Sequence, residues 1–463
     1  MFINILQLSS KVKKRIILVL FKVSPCNINT PMYKFDFEKI KTDSPLFLYF
    51  LSTLFMVFFS VHAIHSWPDR WAQTTISLAC ILTALLVLIK NIPSFTKNKN
   101  FPKELKLVVL IMILGAFNIF FSEDRLASLK GMSLFLMSGL LIFVVTFFLF
   151  KSKENQALFL RFFSTCFVVL VFCGLFEFFQ GIIISEKQIL LFSSNPIPAG
   201  SLLILLSTGP LLLLAKTKLA WKKTLLSLSL LLGILVVILI GQRGPILALL
   251  VMGFIWAATR SQGLWIFTLT ILILVGAGYQ SRDKIPLHYK NQLLKKDTVL
   301  VRLEFYNVAG QIVKDKPLFG VGFSAPITKY ITKDYEPKFY PADSKHTFPA
   351  IITGVETFDN MALFFLAQTG LLFTGAYVCL VLYLIRNLTK KNNNGSADIK
   401  LQNTLLLTVL IGFAVHSMTF DSLRYPHLNW IFHSLLGLMA NNSLFHQEKF
   451  CQEDEPQQEG EIS

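Results

Sequence analysis

The sequence predicts an all-α, polytopic membrane protein of about twelve transmembrane helices with one large, partly helical outer loop. Three observations carry that reading. The chain of 463 residues is 53% hydrophobic and only 15% charged, and it holds 44 phenylalanines. A soluble domain of this size must cover its outside with polar groups and has no use for so much apolar surface. Apolar runs of about 20 residues recur along the chain, the length that crosses roughly 30 Å of hydrocarbon as a helix. Lysine and arginine then alternate between rich and poor connections, as the positive-inside rule requires of a multi-span protein.

Taken in order, the spans fall at about 45–66, 72–92, 105–121, 129–150, 158–181, 196–215, 224–241, 244–259, 263–280, 360–386, 401–420 and 428–441. The connections "KNIPSFTKNKNFPKELK", "KSKENQ", "KTKLAWKK", "TRSQG" and "RNLTKKNNNGSADIK" are rich in Lys and Arg and are expected in the cytoplasm. The connections "WPDRW", "FSEDRLASLK", "IISEKQILLFSSNP" and "FDSLRYPH" hold fewer and are expected outside. Both termini then lie inside, as an even number of spans demands. The domain order that results is a basic cytoplasmic segment (1–43), nine spans (44–280), a large outer loop (281–359), three spans (360–441) and an acidic cytoplasmic tail (442–463). The apolar run Ile16 to Phe21 is too short for a signal-peptide core.

The loop over 281–359 breaks the short-loop pattern. Loops of that length are functional or disordered, and its aromatics argue against disorder. Within it, Leu303, Val308, Ile312 and Val313 recur at helical spacing, so 299–315 reads as an amphipathic helix ended by Lys316-Pro317. The six cysteines lie in spans or cytoplasmic segments, so no disulfide framework is expected in this loop, and no pair has metal-ligand spacing. The net charge of +17 is mostly cytoplasmic lysine, which suits membrane lipid headgroups rather than nucleic acid. No P-loop, metal motif or other cofactor signature is present.

Arg243 stands in "GQRGP" between two apolar runs, at an outer turn. It admits two readings: a snorkelling residue at a helix end, or a group that holds an anion. Gly241, Gly244 and Pro245 favour the second, because they break the chain where backbone can approach a ligand and a helix begins. Guanidinium also matches phosphate oxygens with several donors in one plane. Arg302 opens the loop helix, and Arg424 lies in the last outer turn beside Tyr425 and His427. His416 is expected to make a helix–helix hydrogen bond rather than do chemistry. Glu177, within a span near its outer end, is either a functional carboxylate or a cap on a polar interior.

At this point the residues resemble a family. Arg302, Tyr306, Ala309 and the run Lys314 to Gly322 are similar to the "R-x-x-x-[W/Y]-x-x-A…K-D-x-P-L-F-G-V-G" signature of the O-antigen ligase and polymerase superfamily. Gly241 to Leu249 resembles its outer "R-G" motif, and "NPIPAGSL" (Asn195 to Leu202) its "N-P-N-x-x-A-G-x-L". "DNMALFFLAQTGL" (Asp359 to Leu371) resembles "H-N-x-x-L-x-x-x-A-E-T-G-L", with Asp359 in place of His and Gln368 in place of Glu. The resemblance covers the chain from the sixth expected span onward, with the motifs in the family's order.

The resemblance implies a metal-independent, lipid-linked glycosyltransferase of the bacterial inner membrane, with its active site on the periplasmic side and no cofactor. The donor it implies is an undecaprenyl diphosphate-linked glycan, and the acceptor is lipid A–core or another glycan. Arg243, Arg302 and Arg424 would hold the diphosphate, Arg302 would also act in catalysis, and Asp359 or His346 would take the acceptor's proton. An O-antigen ligase is the expectation, because the single large loop after span nine resembles one. A polymerase of the same superfamily is the alternative, and a lipid-glycan transporter is the reading from another class.

Overall fold

The computed structural model describes residues 44–58, 80–89, 102–184, 196–259, 297–330, 358–394 and 397–441, with positions 78, 189, 191, 268, 338 and 339 between them. The chain folds as an all-α, multi-pass bundle. Its helices are α1 (Ser44–Phe58), α2 (Cys80–Ile89), α3 (Lys103–Phe121), α4 (Arg125–Ser138), α5 (Leu140–Leu149), α6 (Lys153–Ile184) and α7 (Pro196–Leu206). There follow α8 (Thr208–Lys216), α9 (Ala220–Ile240), α10 (Arg243–Ala258), α11 (Asp297–Asp315), α12 (Met361–Asn394), α13 (Ala397–Ser417) and α14 (Pro426–Ala440). Among the described residues, seven stretches are long and apolar enough to cross a membrane: Lys103–Phe121, Arg125–Leu149, Lys153–Gln180, Pro196–Lys216, Ala220–Ile240, Met361–Lys390 and Ile399–Ser417. Apart from position 268, the expected span at 263–280 lies outside the described residues.

Three expected spans are interrupted. The run over 129–150 breaks at Gly139, the run over 196–215 breaks at Ser207, and α12 kinks at Gly370. The break at Gly139 serves packing. At Gly139 a Cβ would meet the Asn429 amide at 2.8 Å, and Asn429 Nδ2 donates to Phe135 O (2.9 Å) and Ser138 Oγ (2.8 Å). Phe135 O, which also accepts from Gly139 N (3.0 Å), thus gains a second partner on α14.

Helix α14 is buried along its whole length, from Pro426 to Ala440. Fifteen residues rise only about 22 Å at ~1.5 Å each, too short to cross hydrocarbon alone, but a helix enclosed by others need not meet lipid. Its polar side chains bind its neighbours. Trp430 Nε1 donates to Thr53 Oγ1 (3.0 Å), Tyr49 Oη to Ser434 Oγ (2.7 Å), and His433 Nε2 bonds Tyr377 Oη (3.0 Å). Such contacts average ~0.6 kcal/mol each within membranes, so they orient α14 more than they stabilise it.

Helix α11 packs against α12 and joins the expected loop to the bundle. Its buried stripe is Phe305, Val308, Ala309 and Ile312, while Leu303 is exposed. Val308 and Ile312 are thus buried as expected, while the stripe turns away from Leu303 and takes in Phe305 and Ala309.

After α11 the chain docks by its backbone on the kink of α12. Val321 N donates to Ala367 O (3.1 Å), Gly322 N to Gln368 O (2.9 Å) and Leu371 N to Pro317 O (2.8 Å). Gly320 and Gly322 hold positive φ angles of 64° and 113°. A Cβ on Gly320 would lie 2.5 Å from Ala367 O, so only glycine allows this approach. Asn118 on α3 closes the staple: its Nδ2 donates to Phe319 O (2.7 Å) and Gln368 O (2.9 Å), and its Oδ1 accepts from Phe323 N (3.0 Å).

Asn118→Ala removes three hydrogen bonds at once, at about 0.5–1.5 kcal/mol net each; Phe319 O and Phe323 N lose this partner, while Gln368 O keeps the bond from Gly322 N. The expected outcome is a large fall in the apparent unfolding temperature in detergent, read by the loss of monodisperse protein on heating. An unchanged transition would show that the staple does not hold the loop.

Candidate functional site

The site lies where the start of α10, the start of α11, the start of α12 and the α13–α14 turn come together at one end of the bundle. Arg302, in the second turn of α11, donates through Nε to Asp359 Oδ2 at 3.3 Å. The two side chains are 27% and 34% exposed, so the pair stands at the edge of the protein, open to a ligand. An ion pair that exposed contributes at most ~1 kcal/mol to stability. Its interest is geometric.

Asp359 adopts a left-handed backbone conformation with φ 51°. Such a conformation costs roughly 1–2 kcal/mol for an L-residue, although Asp and Asn tolerate it best. The neighbours on either side are fixed by one carboxylate from the α13–α14 turn: Phe358 N donates to Asp421 Oδ2 (3.0 Å) and Asn360 N to Asp421 Oδ1 (2.8 Å). Asn360 then caps α12, accepting from Ala362 N (3.0 Å) and Leu363 N (3.1 Å). Its Nδ2 lies 3.5 Å from the Tyr306 hydroxyl, one helical turn along from Arg302.

Arg243 is the first residue of α10. Gly241 ends α9 in a left-handed turn (φ 71°), and Gln242 precedes the new helix without a side-chain cap. The glycine after the arginine has a packing reason. A Cβ on Gly244 would meet Thr419 Oγ1 at 2.5 Å and His416 Nδ1 at 2.6 Å. Gly200, in the "NPIPAG" run of α7, packs on Pro245 in the same way, and Ser201 Oγ is hydrogen-bonded to His416 Nε2. The first turns of α7 and α10 therefore close around the end of α13. His416 also lies near enough to Arg302 for the two to interact electrostatically. Arg424 ends the short 3-10 turn Ser422–Arg424, and its charge acts on Asp421 and Tyr425.

Of the residues expected in the site, Arg302 and Asp359 are in direct contact, while Arg243 and Arg424 stand on the elements packed around them. His346 lies outside the described residues. His416 makes the interhelical hydrogen bond expected of it. Glu177 accepts from Leu191 N (2.9 Å), which is the capping reading. Lys338 is exposed, and its backbone N–H, with that of Phe339, donates to the fully buried Glu304 (3.0 and 2.9 Å). Sequence reasoning missed Asp421, Glu304 and Asn118. The signal for Asp421 was an acidic residue in the short turn "FDSLRYPH", and that for Glu304 a carboxylate two residues from Arg302. Among the described residues no group of three His, Cys, Asp or Glu side chains could hold a metal ion.

The fold and this cluster define a multi-pass membrane protein with an arginine–carboxylate site at one end of its helical bundle. Residues 228–378, about a third of the chain, match the model of the O-antigen ligase family. The matched stretch includes Arg243, Arg302 and Asp359, while "NPIPAG", Asp421 and Arg424 fall beyond it. Among curated proteins, no match to the chain is found.

Gly244→Ala forces a methyl group against His416 and Thr419, an overpacking that costs about 1–3 kcal/mol. The expected result is a lower unfolding temperature than that of the parent. Gly375→Ala is the control, since a Cβ there meets nothing within 4 Å. Equal unfolding temperatures for the two variants would contradict the close packing at the α10 junction.

Proposed function

We propose that the protein is an O-antigen ligase, which transfers a glycan from undecaprenyl diphosphate to lipid A–core at the periplasmic face of the inner membrane. The observation that carries this reading is the Arg302–Asp359 pair, formed between two motifs of the matched family and left open at the end of the bundle. The lysines of the opposite end, among them Lys151, Lys216 and Lys390, support placing the site outside by the positive-inside rule.

The chemistry needs three things. The diphosphate gains negative charge as the glycosyl bond breaks, so cations fixed nearby lower the barrier. Arg302 engages Asp359 through Nε, which leaves its Nη donors for phosphate oxygens. Arg243 at the start of α10 and Arg424 beside Asp421 add positive charge from two further elements. The acceptor hydroxyl must lose a proton to a base within hydrogen-bond reach. Asp359 is the base in this reading, with His346 the other candidate. The polyprenyl chain needs an apolar surface open to lipid, and α9 offers Leu225, Leu228, Leu231 and Leu235 on its exposed side. The glycan bond to the carrier breaks, the bond to the acceptor oxygen forms, and undecaprenyl diphosphate leaves.

Arg302→Ala and Arg243→Ala are each expected to cut transfer at least about 100-fold, the scale of removing a fixed donor from developing charge. Both proteins should still accumulate in the membrane. The readout is gel analysis of surface lipopolysaccharide and lipid-linked glycan in a strain that lacks the native protein. Bare core with long polymer stranded on the carrier is the pattern expected of a lost ligase. Core capped by a single repeat would show a polymerase instead, and full activity of both variants would contradict the diphosphate assignment.

A further inference from the structure

We propose that Asp421 is the positioning residue of this site, holding Asp359 in its left-handed turn so that the carboxylate faces Arg302. The inference rests on the reading of Arg302 and Asp359 as the reacting pair, and it adds a residue that lies outside the matched family stretch.

The geometry is specific. Asp421 sits in the α13–α14 turn, and it is 1% exposed. Each of its oxygens accepts one backbone N–H, from the residue before Asp359 and from the residue after it. A single carboxylate therefore brackets the strained residue on both sides. The peptide groups of Phe358 and Asn360 are fixed at the same time, and φ 51° at Asp359 is the conformation between them. Both bracketed residues are buried, so the two N–H groups have no ready substitute in solvent. Asn360 carries the same restraint into the cap of α12, and α11 brings Arg302 against the result.

Two roles could be assigned to a buried carboxyl here, and geometry separates them. Burial, then the charge of Asp359, push its pKa up to about 7, the range of a general base. Yet both oxygens are engaged by backbone and sealed from solvent, so no acceptor hydroxyl reaches them. Asp421 acts through Asp359.

The groups that face Asp421 set the pH behaviour. Asp359 and burial raise its pKa, while the amides of Phe358 and Asn360 and the charge of Arg424 lower it. Tyr425, at the end of the same turn, feels Arg424, Asp421 and Asp359 together. A carboxyl raised in the fold takes up its proton as pH falls through about 7. Its contribution to stability then improves from pH 7 down toward the ordinary carboxylate range, because the folded state binds the proton first. The bonds to the two amides weaken over the same interval, since a neutral carboxyl is the poorer acceptor. Stability and transfer rate thus move in opposite directions below pH 7.

The test uses the full-length protein in detergent or nanodiscs, with Asp421→Ala and Asp421→Asn. Amide hydrogen exchange of the segment around 358–361, measured without substrate, should quicken at least tenfold in Asp421→Ala. Transfer should fall at least tenfold through kcat, with KM for the donor little changed. Asp421→Asn keeps one acceptor oxygen, should show intermediate exchange, and should lose the decline of rate near pH 7. Unchanged exchange in Asp421→Ala would overturn the proposal, as would a parental pH profile in Asp421→Asn, the variant that carries the test if Ala does not accumulate. Because exchange is read without substrate, a protein that shows the quickened exchange but transfers no glycan in its parental form would refute the ligase reading and leave the clamp standing.

Discussion

Irregular backbone inside a helical membrane bundle must find its hydrogen bonds within the protein, and the break in α12 at Gly370 is where this chain meets that demand. The segment from Pro317 to Phe323 supplies the missing partners, pairing with Ala367, Gln368 and Leu371 while Asn118 bridges the two. Gln368 completes the joint, since its Oε1 accepts from Ser324 N (2.6 Å). Remove this joint and α11 loses its fixed relation to α12. With it would go the distance between Arg302, which α11 carries, and Asp359, which stands at the head of α12. The "PLFGVG" run is thus a mechanical part, and the position of Arg302 against Asp359 rests upon it.

Above that joint, buried carboxylates repeat one device. Glu304 holds the amides of Lys338 and Phe339, and Asp421 holds those of Phe358 and Asn360. A carboxylate sealed from water is costly unless its lone pairs are filled, and backbone amides fill them without bringing a second charge. The arginines are treated differently. Arg302 is left partly exposed beside a partly exposed partner, where a pair is worth little for folding. The strong interactions orient the site, and the weak one is kept for the ligand.

Much of the fold was legible in the sequence because one physical quantity, the length of an apolar run, sets where a helix can cross. The helices over 103–121, 220–240, 243–258 and 397–417 fall where hydropathy puts them. The break at Gly139 did not show, since a sliding hydropathy pattern is blind to one residue leaving helical geometry, and at Ser207 the backbone itself stays in the right-handed helical region (φ −58°, ψ −19°). Of the stripe on α11 read from Leu303, Val308, Ile312 and Val313, Val308 and Ile312 are buried as expected, but burial also takes in Phe305 and Ala309 and leaves Leu303 exposed, which helical spacing alone does not decide. Within the site, Arg302 and Asp359 were found as separate motifs, and the 3.3 Å contact between them needed the fold. Asp421 stood out only as an acidic residue in a short turn, because its two partners are peptide groups some 60 residues away and no local spacing encodes that.

The most direct measurement is transfer with purified components. The protein would be reconstituted in liposomes with glycan on undecaprenyl diphosphate and with lipid A–core, and the products separated by gel and thin-layer chromatography. The account predicts that glycan appears on lipid A–core and that free undecaprenyl diphosphate is released in equal amount. Lengthening of glycan on the carrier, with the core left bare, would contradict it.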